Sequence, residues 1–202
     1  MAVQAFIELG DMEARKGKTQ EALLAYTSSV GQSPTLEALL KLAFLMARHS
    51  NTQGAQAVLA QALPLMSKAY LKKHSFLFSL LESCADEYDL FLVIAHAYFS
   101  TGRICDVGFQ KSWPDNTPET ALTLAFLIWD KKPRPDILDF IILCAKEADV
   151  EGELLPLLTQ AWKRGLLSKA HTLYAAERAL QYYDTHLASR MLSSITNKSL
   201  PQ

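Results

Sequence analysis

The sequence predicts an all-α protein, an α-solenoid of antiparallel helix pairs with about 12 to 13 helices. Three observations support this prediction. Half of the 202 residues are hydrophobic, eight glycines and eight prolines fall mostly where helices would end, and no alternating β pattern persists. At this length one core could bury about 70% of the surface of the unfolded chain. We therefore expect a single domain over residues 1–202.

Start and stop signals along the chain place the helices, each about 10 to 15 residues long. The predicted helices span residues 3–16, 19–31, 35–49, 52–63, 65–73, 75–86, 88–101, 103–112, 118–130, 135–147, 154–164, 167–182 and 184–196. Two proline-rich stretches, 112–118 and 130–136, interrupt this rhythm. Both are short for flexible linkers, so we interpret them as corners between helices. A domain boundary near residues 112–118 is the alternative.

The first two helices carry the clearest pattern. Gly10 and Ala22 are small and stand where two antiparallel helices would cross closely. Gly17 lies where the first helix must stop, because glycine readily adopts a positive φ. Thr19 is then a good N-cap for the second helix, and Pro34 ends it. Apolar side chains at Phe6, Leu9, Leu23 and Tyr26 are spaced to fill the gap between the helices.

The same residue spacing recurs further along the chain, but the match becomes weaker. The second occurrence comprises Leu39, Leu42-Ala43, Ser50-Asn51, Ala55 and Leu59; the third Phe91, Ile94-Ala95, Tyr98 and Gly102; the fourth Leu154, Leu157-Leu158, Gly165, Ala170 and Tyr174. This series resembles the tetratricopeptide repeat (TPR) family, which has a period of about 34 residues. The resemblance is strong for residues 3–69 and degenerate after that. It implies a right-handed stack of helix pairs that binds other proteins.

In TPR proteins the first helix of each repeat lines a concave groove. Carried over residue by residue, the resemblance gives a candidate partner-binding groove of Lys41, Phe44, Arg48, His96, Phe99, Trp162 and Lys163. Such a groove could hold an extended or helical peptide with apolar anchors and an acidic flank. For Phe44 and Phe99, a position inside the core is the alternative. Clamping of a chaperone tail carboxylate is disfavoured, because Ile7, Asp11 and Phe44 stand at clamp positions and only Lys41 fits.

The two ends of the chain differ. The helix over residues 184–196 has Leu187, Met191, Leu192 and Ile195 on one side and Arg190, Ser194 and other polar residues on the other, which suits a terminal cap. No such capping helix precedes Phe6 and Ile7. These two residues are therefore a candidate interface for a second copy or a neighbouring subunit, or the chain is part of something longer.

Charge and cysteine content limit the partner and the compartment. Twenty basic and 21 acidic residues give a net charge of −1, so no overall attraction to nucleic acid or to an anionic membrane is expected. No signal peptide and no apolar run of about 18 residues is recognisable, so we expect no direct membrane insertion. Cys84, Cys105 and Cys144 are widely separated and read as reduced thiols. These features favour the cytoplasm.

No catalytic, cofactor or metal motif is recognisable, and the five histidines never share a metal-ligand spacing. We therefore expect no enzyme and no cofactor. The hypothesis is a protein-interaction scaffold or adaptor, with a cytoplasmic chaperone or assembly factor for a secretion or pilus-type machine as one form of it. The alternatives are a structural subunit or excised domain that assembles through its N-terminal repeat, a regulatory module that senses a peptide, and, as the weakest, a helical enzyme without a recognisable motif.

Overall fold

The structure, a computed structural model, describes residues 2–84, 86–104 and 117–197, with side chains for 2–84, 86–100 and 119–196. All regular structure in these ranges is helical, so the fold is all-α. The α-helices in this part of the chain are α1 (Ala2–Arg15), α2 (Thr19–Gln32), α3 (Leu36–Arg48), α4 (Thr52–Ala62), α5 (Lys68–Lys73), α6 (Phe76–Ser83), α7 (Glu87–Ile104), α8 (Thr117–Lys131), α9 (Pro135–Glu147), α10 (Leu155–Lys163), α11 (Lys169–Gln181) and α12 (Thr185–Asn197). Short 3₁₀ helices at Leu63–Leu65 and Glu151–Leu154 follow α4 and precede α10.

Most predicted helices agree with these bounds to within a few residues. The clearest error concerns Gly102, which was expected to end the first helix of the third repeat. Instead, α7 continues through it to Ile104. The helix expected at 103–112, the cysteine at position 105 and nearly all of the stretch 112–118 lie outside the described residues. The boundary proposed there stays a prediction.

The chain divides into two compact units, unit 1 (residues 1–128) and unit 2 (residues 129–202). In unit 1, α1 packs against α2, α3 packs against α2 and α4, and α7 packs against α3, α4 and α6. In unit 2, α11 packs against both α10 and α12. Neighbours along the chain thus pack as antiparallel pairs in both units.

In the part of the chain that the structure describes, the same turn geometry joins consecutive helical elements at five places. Each turn contains one residue with a positive φ between 56° and 74°, and these residues are Gly17, Ser50, Asp149, Gly165 and Tyr183. The N–H of the following residue donates to a carbonyl five positions earlier, as Lys18 does to Glu13 at 2.9 Å and Asn51 to Met46 at 2.9 Å. This is the Schellman helix ending. The repetition is therefore present in the backbone even where the turn glycine is absent.

Tyr183 is the bulkiest of these turn residues. Its φ is 61° and its side chain is 92% exposed. A left-handed backbone costs a non-glycine residue about 1–2 kcal/mol, and the greater freedom of glycine in the unfolded chain cancels about 0.5–1 kcal/mol of any gain. We expect Tyr183→Gly to stabilise unit 2 by up to about 1 kcal/mol in thermal unfolding. Tyr183→Ala removes the ring but keeps Cβ, and an equal gain in that control would contradict the explanation.

The face that α1 buries differs from the prediction by one residue. Gly10 lies directly against the ring of Tyr26 on α2, and this contact fixes which side of α1 turns inward. Ile7, Gly10 and Glu13 are buried, whereas Leu9, expected in the core, is 42% exposed. One residue corresponds to about 100° of helix rotation. Gly10 and Ala22 are both buried, but the side chain nearest to Gly10 is Tyr26 and not Ala22, and the apolar face beside Gly10 was predicted incorrectly.

A cationic cavity in unit 2 is the candidate functional site

Unit 2 contains a cavity of about 560 Å³. It is lined by Trp162, Lys163, Gly165, Leu167, Lys169, Thr172, Arg190, Ser194 and Ile195. These residues come from the end of α10, the turn after it, the start of α11 and the second half of α12. The size falls in the range of about 300–1,000 Å³ that holds small molecules or one to two side chains of a peptide.

Local structure places these side chains. Gly165 takes a φ of 71° in the Schellman turn that ends α10, so the chain reverses directly after Trp162 and Lys163. Ser168 then caps α11, because its hydroxyl accepts the N–H of His171 at 3.1 Å. The cap fixes where α11 begins. Lys169 and Thr172, both in its first turn, face the cavity as a result.

Trp162 is held in place from two sides. Its indole Nε1 donates a hydrogen bond to Ser194 Oγ at 3.1 Å, which ties α10 to α12. The guanidinium of Arg190 lies 5.5 Å from the centre of the indole ring, within the range of a cation–π interaction. The ring therefore positions a charged side chain as well as forming part of the apolar wall.

The cavity is positively charged. Lys163, Lys169 and Arg190 line it, and no aspartate or glutamate is among its lining residues in the described part of the chain. Within those same ranges neither Lys163 nor Lys169 has an acidic partner. Leu167, Ile195 and Trp162 supply apolar surface beside the charges. The arrangement suits an anionic group that is attached to an apolar one.

Two of the predicted groove residues, Trp162 and Lys163, line this cavity. Sequence reasoning missed Lys169 and Arg190. The predicted groove includes only the first helix of each repeat, so it does not include Lys169 on α11. Arg190 had been assigned to the solvent side of a cap. Only the packing of α12 against α11 brings its polar side to the same cavity.

Lys41 is not an available groove cation, which corrects the prediction. Its ammonium group pairs with Asp11 at 2.6 Å and with Glu37 at 3.3 Å, and its side chain is 18% exposed. Tyr26 also donates its hydroxyl proton to Asp11, at 2.7 Å. Burial raises the pKa of Glu37, although the adjacent Lys41 opposes the rise. These contacts join α1, α2 and α3, so Lys41 has a structural role.

His96 and Phe99 are also corrected, because both lie in the core. They are 4% and 1% exposed. The reason is that every described position of α7 from 89 to 100 is buried, since three other helices of unit 1 cover it. A helix that is apolar on all sides is expected to be buried. The run of Leu90 to Phe99 was therefore a signal that α7 has no groove face.

The remaining predicted residues have mixed positions. Phe44 is half-buried, and its ring centre lies 5.5 Å from that of Phe91, so it contributes to packing. Arg48 is exposed at the end of α3. Of the candidate interface residues, Phe6 is half-buried, whereas Ile7 is 2% exposed and is therefore excluded as a contact residue. The large apolar side chains of α1 that are exposed are Leu9 and Met12.

Two other contacts of titratable groups in unit 2 join separate helical elements. His171 on α11 and Asp139 on α9 approach to 2.7 Å between Nε2 and Oδ1. Tyr174 donates to Glu151 at 3.0 Å, and burial together with this carboxylate raises the pKa of Tyr174 to about 12. Within the described ranges, no group of three or more histidine, cysteine or acidic residues could hold a metal ion. No helix there is both long and apolar enough to cross a membrane.

Comparison with known proteins gives limited similarity. No family model matches the chain, and no curated protein matches it. One solved structure is similar, the crystal structure of a thermophilic TPR protein in Thermus thermophilus. The two chains are 17% identical, the match covers 98% of this chain and 92% of that one, and the TM-score is 0.37.

Proposed function

We propose that this chain is a protein-interaction scaffold of TPR type and that the cationic cavity of unit 2 holds a segment of its partner. The observation that carries the proposal is the convergence of Lys163, Lys169 and Arg190 beside Trp162 in one cavity. Aromatic and arginine side chains in concave sites are frequent binding hot spots. An acidic segment with an apolar side chain complements these walls.

The kind of partner and the cellular role of such a scaffold belong to the same proposal. The partner is another protein or a peptide, bound without a cofactor. A cytoplasmic chaperone or assembly factor for a secretion or pilus-type machine is one setting for such a scaffold. Identification of the partner is the step that would choose among the settings.

A charge reversal in the cavity tests the proposal. We expect the double variant Lys163→Glu, Lys169→Glu to retain at least about tenfold less of its partner in affinity capture. The reason is that two attractive charges become repulsive. Arg164→Glu is the matched control, since Arg164 is exposed next to Lys163 and does not line the cavity. Circular dichroism should show unchanged folding in both. Equal capture by the double variant and the control would contradict the proposal.

Assembly through α1 is a second candidate function, favoured by the exposed pair Leu9 and Met12. They are spaced by three residues and share one side of the helix, 42% and 44% exposed. If this side is a contact between copies, light scattering over a concentration series should show a dimer or larger species. Leu9→Glu should shift it to the monomer, whereas Leu24→Glu, at a 68% exposed position of α2, should not. A monomer at all concentrations would exclude this candidate.

A further inference from the structure

We infer that the cationic cavity of unit 2 selects a phosphorylated side chain of its partner over an aspartate or glutamate. This inference rests on the proposed function, because it specifies the anion that the same cavity holds. It concerns Lys163, Lys169 and Arg190, the three cations that line the cavity.

The charge of the cavity lining favours a ligand with more than one negative charge. The lining carries three positive side chains, and no acidic side chain is among its described members. A carboxylate would neutralise one of these charges. A phosphorylated side chain carries about −1.5 to −2 at pH 7, so it matches the cavity more closely. Lys163, Lys169 and Arg190 are all exposed to solvent, so this difference in affinity is expected to be largest at low ionic strength, where screening is weak.

The side-chain hydrogen-bond donors of the cavity are mainly its cations. Thr172 and Ser194 line the cavity, yet both hydroxyl protons are already used. Thr172 donates to the carbonyl of Ser168 at 2.8 Å, and Ser194 donates to the carbonyl of Met191 at 2.6 Å. The side-chain donors left for a ligand are therefore the three cations. A phosphate offers three acceptor oxygens to these cations, whereas a carboxylate offers two.

The position of Arg190 favours the binding of a phosphate group. The Trp162 ring lies on one side of its guanidinium, at 5.5 Å, and Trp162 itself is tied to Ser194. A guanidinium that is oriented in this way loses less freedom when it binds, and its planar edge can pair with two phosphate oxygens. Leu167 and Ile195 then provide an apolar wall for the residue next to the phosphorylated one. The site therefore takes a phosphorylated serine or threonine with an aliphatic neighbour.

The experiment is a titration of the full chain, labelled with ¹⁵N, followed at the indole N–H resonance of Trp162. The variant Trp162→Phe assigns this resonance among the three tryptophans of the chain. The probes are three short peptides with blocked ends and the same aliphatic flanks, carrying serine, glutamate or phosphoserine at the central position. Inorganic phosphate is a fourth probe. All titrations use low salt, roughly 50 mM, to limit screening.

The phosphoserine peptide is expected to bind at least about tenfold more tightly than the glutamate peptide, and the serine peptide more weakly than either. Lys163→Gln and Lys169→Gln should each reduce this preference, because each removes one of the three cations. Arg164→Gln should preserve the preference. A preference that is the same in all three variants would overturn the inference, because it would not depend on the cavity.

Other outcomes separate this inference from the proposed function. Equal affinity for the glutamate and phosphoserine peptides would overturn the selectivity and leave an acidic-segment site in place. Binding of inorganic phosphate without binding of the phosphoserine peptide would also overturn the inference, since the site would then hold a free anion. If none of the four probes shifts the Trp162 resonance, both the inference and the assignment of this cavity as the binding site fail.

Discussion

Gly10→Ala is expected to destabilise unit 1 by about 1–3 kcal/mol, although alanine favours helices over glycine by about 1 kcal/mol. A Cβ at this position would lie 2.5 Å from Cδ1 and 2.9 Å from Cζ of Tyr26. The ring cannot move away easily, because it is buried and its hydroxyl is bonded to Asp11. The helices α1 and α2 must separate instead. Thermal and denaturant unfolding would measure the loss.

The matched control for this substitution is Gly31→Ala on α2. Nothing lies within 4 Å of a Cβ added there, and the position is exposed. We expect a gain of up to about 1 kcal/mol from helix propensity. A double variant Gly10→Ala, Tyr26→Leu should lose less than the sum of its two single variants, since the smaller side chain makes room for Cβ. Strict additivity would show that the Tyr26 ring does not cause the loss.

The second large expected effect is a loss of stability in mild acid that depends on His96. Burial, with a smaller contribution from His74, lowers the pKa of His96 to about 3. In the unfolded chain this pKa is about 6.5, so the unfolded state binds the extra proton first as the pH falls. The contribution is complete above pH 6.5 and is lost between about pH 6.5 and 3. At pH 5 the loss from this residue is about 2 kcal/mol.

Unfolding by denaturant at pH 7 and pH 5 would test this expectation. His96→Gln keeps a polar partner for the Tyr70 hydroxyl, which lies 2.9 Å from Nδ1 of His96, and removes the titration. The difference in unfolding free energy between the two pH values should therefore shrink by about 2 kcal/mol in this variant. His186→Gln, at an exposed position of α12, should leave the difference unchanged. A wild-type pH dependence in His96→Gln would refute the assignment.

The sequence was sufficient for most of the helices that the structure describes and for the burial of Gly10. Periodicity, caps and turn residues locate helix ends because these signals act within a few residues, and Gly10 marks its crossing through a single close contact. The orientation of the helices was harder to predict. Leu9 and Ile7 are two residues apart, and one close contact at Gly10 decided which of them is buried. That decision depends on the partner helix and not on α1 alone.

The candidate site was predicted in part for the same reason. Trp162 and Lys163 stand on one helix, and their offset from the repeat pattern was enough to single them out. Lys169 and Arg190 reach the cavity only because three helices pack together, and no pattern along the chain links positions so far apart. Glu37 stands four residues before Lys41 on α3, so this pair could have been found in the sequence, whereas Asp11 lies on α1 and reaches Lys41 only through packing. Whether a cation is paired with an acidic group or available to a ligand therefore depends on the tertiary structure.

The burial of α7 over residues 89–100 affects how unit 1 would fold. In a regular repeat array each helix pair contacts only its neighbours, so stability can build up one repeat at a time. Here α7 contacts α3, α4 and α6 at once, and its loss would uncover all three. The contacts of α3 with α7 also join segments far apart in sequence, which slows folding by the cost of closing the loop between them. Unit 1 is therefore cooperative in the manner of a globular domain, and a shortened chain that ends before α7 would lose the core instead of one repeat.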